Sequence, residues 1–142
     1  MTDHHIPALA PVRTDADLLG HWRALMSAGG FTERSLWMTW FDERGNSLPI
    51  IVPIDDVPEH PDERLVDNLI STLGQIIDES EASTAAVLLS RPGDSRKGTG
   101  DLIWARALLV AARRQGVPMW PIHLATANQV QPFTPDDLVA AG

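Results

Sequence analysis

Cysteine is absent from all 142 residues, which excludes thiolate nucleophiles, cysteine-based zinc sites and structural disulfides. No continuous apolar run reaches membrane-spanning length. The opening MTDHHIPALAPVRTDAD has no basic stretch followed by an apolar core, so it does not read as a secretory signal. Together these absences predict a cytoplasmic protein with no membrane partner. Lysine is nearly absent as well: Lys97 is the only lysine among eleven basic residues. There is no internal repeat, coiled-coil heptad or low-complexity block. A Gly-x-Ser-x-Gly elbow is also lacking, so sequence places no base beside Ser90, Ser95 or Thr99.

The net charge of −8 disfavours generic binding to nucleic acid or to an anionic membrane. Its distribution is uneven. Between Arg91 and Arg114 lie six basic residues (Arg91, Arg96, Lys97, Arg106, Arg113, Arg114) against Asp94 and Asp101, a local +4 that leaves −12 on the rest. Such a stretch is either a solvated helix face and loop or a site for an anion or an acidic partner.

A 44% hydrophobic content suits a single globular core at this length, burying roughly two-thirds of the unfolded surface. Residues 1–13 are Pro- and Ala-rich, carry His4 and His5, and read as a flexible N-terminal arm; residues 14–142 read as one domain. Thr14-Asp15-Ala16-Asp17 has the form of a capping box, and Leu18, Leu19, Trp22, Leu25 and Met26 make an apolar stripe beside His21. A helix is predicted from Asp15 to about Ala28, stopped by Gly29-Gly30. Leu36–Phe41 predicts a buried strand, Asp42–Asn46 a turn, and Ser47–Val52 a returning arm that Pro49 makes irregular or places at an edge. Trp37 and Trp40 suit core packing.

Ile54–Pro61 reads as an acidic loop whose Asp55, Asp56, Glu59 and His60 match no calcium-loop spacing. A second helix is predicted from Asp62-Glu63 to about Asp78, with seven apolar residues from Leu65 to Ile77 at helical spacing. Ala85–Leu89 predicts a central strand, Leu102–Arg114 a third helix closed by Gly116, Pro118–Ala125 a strand, and Gln129–Phe133 a short last one. Thr134 and Pro135 have the form of a cap and first helical residue of a terminal helix. The order α, ββ, α, β, α, β, β predicts a single-domain α/β fold in three layers: a mixed sheet covered by helices, with a parallel crossover pair beside the hairpin.

Between the central strand and third helix lies Ser90-Arg91-Pro92-Gly93-Asp94-Ser95-Arg96-Lys97-Gly98-Thr99-Gly100-Asp101. This Pro-Gly loop and helix-opening Asp, in this element order, resemble the JAB/MPN metalloprotease fold over roughly residues 36–133, with the nearest likeness to its RadC-type bacterial branch. In that family a His-x-His-Pro segment leaves the strand and a Ser-x-x-Asp segment enters the helix. The two His and the Asp hold zinc, and an upstream Glu activates its water, whose pKa the metal lowers to about 7. Here Leu89-Ser90-Arg91-Pro92 stands where His-x-His-Pro would be. Asp101 matches the ligand Asp after a loop one residue shorter, and Gly98 takes the Ser position. His123 in Ile122-His123-Leu124 matches the His of an Asp-His-Ile strand, while Glu33 is not a convincing counterpart of the Glu.

With both ligand histidines missing, the resemblance implies a domain without catalytic residues, cofactor or bound zinc. Such a domain would act in protein interaction or regulation, as a homo-oligomer or with another protein partner, and an Asp101–Arg91 ion pair could fill the vacated site. As an alternative, residues 93–100 could form an anion or nucleotide cradle ahead of a helix N-terminus, with Arg91, Arg96, Lys97, Asp101 and His123 as candidate ligand-binding residues. That loop is not a P-loop, because Lys97 precedes Gly98 and no lysine follows it. A further alternative is a residual metal-dependent hydrolase on Asp101 and His123.

Overall fold

The computed structural model describes residues 10–27 and 30–140; His4, His5, Ala28 and Gly29 lie outside the described residues. Helix α1 (Asp15–Leu25) starts on the expected capping box. The Thr14 hydroxyl accepts the Asp17 N–H, and Asp17 Oδ2 accepts the Thr14 N–H, both at 3.1 Å. The helix ends at Leu25, short of Ala28, where the Met26 N–H closes the last turn on the Trp22 carbonyl.

Strands β1 (Ser35–Phe41) and β2 (Ser47–Ile54) form the antiparallel hairpin. Asp42 Oδ1 organises its turn by accepting the Arg44 and Asn46 N–H groups at 2.9 and 3.0 Å. Gly45, at φ +87°, lets Val12 approach: a Cβ there would lie 2.4 Å from the Val12 carbonyl oxygen. The Val12 N–H donates to Gly45 O at 2.7 Å and its side chain is buried, so the packed chain reaches back into the segment expected as an arm. β2 continues past Val52 through Pro53. Both Pro49 and Pro53 are exposed on this edge strand, where a missing N–H breaks no inner ladder, and the register shifts between Thr39 and Phe41.

Helix α2 (Glu63–Glu79) is capped by Asp62, which accepts the Leu65 N–H at 2.7 Å. Strand β3 (Thr84–Ser90), helix α3 (Thr99–Gln115) and strand β4 (His123–Ala125) follow, then β5 (Val130–Pro132) and α4 (Pro135–Ala140). Two expectations need correction. The third helix begins at Thr99 rather than Leu102, because Asp101 bonds back to the Gly98 N–H and the Leu102 N–H reaches Gly98 O. The strand expected over Pro118–Ala125 shrinks to three residues plus a lone Ala85–Met119 bridge, because Pro118 and Pro121 cannot donate to a ladder.

The sheet runs β2-β1-β3-β4-β5, parallel only between β3 and β4, which α3 connects. Strand alternation divides the core. Leu36, Met38, Trp40, Val87, Leu89, Ile122 and Leu124 face α2 and α3, whereas Phe41, Ala86, Leu88 and Ala125 pack with Leu18 and Trp22 of α1. The described residues thus form the mixed, helix-covered α/β domain, with α1 on one face and α2 and α3 on the other.

Candidate functional site

The antiparallel register Ser35↔Ser90 sets Arg34, just before β1, beside Arg91, just after β3. Both reach Asp101 in the first turn of α3, whose carboxylate is only 1% exposed. Arg91 Nε lies 2.9 and 3.0 Å from its two oxygens and Nη2 lies 2.8 Å from Oδ2. Arg34 Nη1 donates to Oδ1 at 2.8 Å, and the Gly98 N–H donates to Oδ2 at 2.8 Å. Burial opposes ionisation of Asp101 most strongly, but the bonds from Arg91, Gly98 and Arg34 together outweigh it and hold its carboxyl below the ordinary carboxylate range.

The remaining donors of Arg91 fold the loop around it. Nη1 donates to Pro92 O at 3.0 Å and to Asp94 O at 2.9 Å, and Nη2 to Arg96 O at 2.7 Å. All five guanidinium N–H groups therefore have acceptors inside the protein. The loop 55–62 closes the other side: Trp104 Nε1 donates to Pro58 O at 2.8 Å, and Ser35 Oγ to Asp55 Oδ1 at 3.0 Å. Gly100 is needed where this loop meets α3, since a Cβ there would lie 2.8 Å from Glu59 Cγ and 3.0 Å from its carbonyl oxygen.

Of the residues singled out in the sequence, Arg91 and Asp101 meet. Arg96 contributes only backbone to them, and its exposed side chain makes no ion pair among the described residues. Lys97 turns away to Asp137 of α4 at 2.5 Å and lies 5.5 Å over the Phe133 ring. His123 lies apart. Alternation along β4 puts it with Ala125 on the α1 face, opposite α3 and Asp101. It is buried, its Nδ1 lies 3.1 Å from Pro121 O, and desolvation lowers its pKa.

Zinc chemistry of the JAB type does not fit this donor set. Two permanent cations and a backbone N–H occupy both oxygens of Asp101, Leu89 is buried in the core, and His123 lies across the sheet. Among the described residues no three His, Asp or Glu side chains converge, and Asp55, Asp56, Glu59 and His60 are no exception. No family model and no curated protein matches the chain. The participant that sequence reading missed is Arg34, 67 residues from Asp101 and visible only through strand register.

Proposed function

We propose that this chain is a non-catalytic domain of JAB/MPN-like, RadC-type layout that works by binding, as a protein-interaction or regulatory module without zinc. The observation that carries this reading is the Arg34–Asp101–Arg91 cluster. At the position where the resemblance puts a metal-ligand Asp, the carboxylate is neutralised by two guanidinium groups that never deprotonate in water. A divalent cation entering there would have to displace both arginines and face their charge. The loop 93–100 gives less support to an anion cradle, since Arg91 spends its donors on loop carbonyls and Asp101 takes the Gly98 N–H.

Elemental mass spectrometry of purified, untagged protein after zinc exposure and dialysis tests the proposal. The expected result is no retained zinc in the wild type. Near-stoichiometric zinc that is lost in Asp101→Ala would overturn it.

A further inference from the structure

The sheet ends in two strands of three residues each, while α1 has 11 and α3 has 17. The helices overhang this end from opposite faces, and the described residues leave the space between them open. A cleft of about 930 Å³ opens there, with α1, α3, α4 and the residues before β4 contributing to its wall. That volume is in the range of pockets that bury small organic ligands. Leu19, Leu109, Met119, Phe133 and Leu138 give it an apolar lining, and Val110 and Val139 are the exposed large hydrophobics at its lip, 51% and 79% exposed.

Its polar groups are few and unevenly placed. Arg106 and Arg113 stand on the α3 wall, two turns apart on one helix face, about 10 Å along the axis. Neither makes an ion pair among the described residues, whereas Arg114, next in the chain, pairs with Asp67. Among the described residues Asp15 is the one carboxylate of the lining, and it belongs to the α1 wall. His123 lines the cleft as a buried group. Pro121 O can only accept, so Nδ1 carries the proton in their bond, and desolvation lowers the pKa of the ring. Among the described residues the permanent positive charge of the lining comes from α3, in a protein of net charge −8.

We infer that this cleft binds a small amphipathic carboxylate, with its hydrocarbon body among Leu19, Leu109, Met119 and Leu138 and its anionic end against the α3 wall that carries Arg106 and Arg113. The inference is independent of the JAB resemblance and of the Asp101 cluster, which faces another part of the fold. A quaternary ammonium of the same chain length would bring its charge to the arginines and be rejected, and an uncharged alcohol would forgo the charge-assisted bonds.

Calorimetric titration with decanoate, decyltrimethylammonium and decanol, each below its aggregation limit, tests this on the full chain. Decanoate is expected to bind saturably at one site, with decanol weaker and decyltrimethylammonium absent. Arg106→Glu/Arg113→Glu should weaken decanoate at least roughly tenfold, the scale of losing one charged contact. Ala16→Trp, which fills the cleft from the exposed side of α1, should abolish binding, and unchanged thermal unfolding of each variant verifies its fold. Absence of saturable decanoate binding, or binding indifferent to both variants, would overturn the proposal. So would binding of a Glu/Leu amphipathic helical peptide in place of decanoate, which would make the cleft a protein-docking surface.

Discussion

Two ionisable side chains buried on opposite faces of the sheet, Asp101 and His21, are accommodated in opposite ways. On the α2/α3 side, Asp101 is enclosed with Arg34 and Arg91, whose side chains are 16% and 13% exposed, and each carboxylate oxygen accepts from more than one donor. On the α1 side, His21 is buried against Phe41, ring centroids 5.1 Å apart, and among the described residues neither its ring nitrogens nor Trp22 Nε1 has a hydrogen-bond partner. A fully paired charge tolerates burial because partners replace its hydration, and an unpaired imidazole tolerates it only by staying neutral. The first arrangement fixes a loop and a helix start. The second leaves a group whose protonation opposes folding.

Breaking the paired side should have the largest effect. Asp101→Asn keeps the shape and removes the charge, leaving Arg34 and Arg91 to repel one another in a half-buried site. The expected cost is about 3 kcal/mol or more, read as a lower urea midpoint with an unchanged slope. Faster hydrogen exchange at the Gly98 amide should accompany it, since that N–H loses its acceptor charge. A change under 1 kcal/mol would mean that the cluster behaves as a surface ion pair and does not hold the loop.

Gly100→Ala probes the same side through packing alone. The new Cβ would meet Glu59 Cγ and carbonyl oxygen, and backbone gives way poorly, so a loss of about 2 kcal/mol is expected despite the better helix propensity of alanine. Stabilisation would show that the loop 55–62 yields freely. Arg34→Met should cost less, about 1 kcal/mol, because Arg91 still neutralises Asp101 and the aliphatic stem is retained.

Local signals in the chain carried the fold a long way. The Thr14–Asp17 box, the helix opening at Asp62-Glu63 and the helical spacing of Leu65–Ile77 all rest on spacing within a few residues, which sequence displays directly. The start of α3 and the length of β4 were harder to read. Thr99-Gly100 is poor helix sequence, and it is helical because Asp101 caps the turn through the Gly98 N–H and Glu59 packs on Gly100. At the site, Arg91 and Asp101 were legible as a pair only ten residues apart. Arg34 was not, because register between distant strands delivers it. Nor could periodicity alone separate Asp101 from His123, which adjoin neighbouring strands of one sheet yet lie on opposite faces.

The α1 side sharpens the comparison through pH. Burial lowers the pKa of both His21 and His123, so the unfolded chain binds more protons than the folded one once pH falls toward the ordinary histidine value near 6.5. Their contribution is fully present above that value and declines as pH falls through it toward the lowered folded values. Asp101, also lowered, acts further into acid: its contribution is present above the unfolded carboxylate value near 3.9 and is lost only below it. Urea midpoints should therefore fall first between about pH 6.5 and pH 5, from the histidine side. His21→Leu should flatten that limb and raise stability at pH 7 by about 1 kcal/mol, since it removes two unsatisfied buried nitrogens while keeping an apolar contact with Phe41. The Asp101 limb at lower pH should stay in place. An unchanged limb between pH 6.5 and pH 5 in the variant would put its origin at His123 and mean that the α1 face admits water to His21.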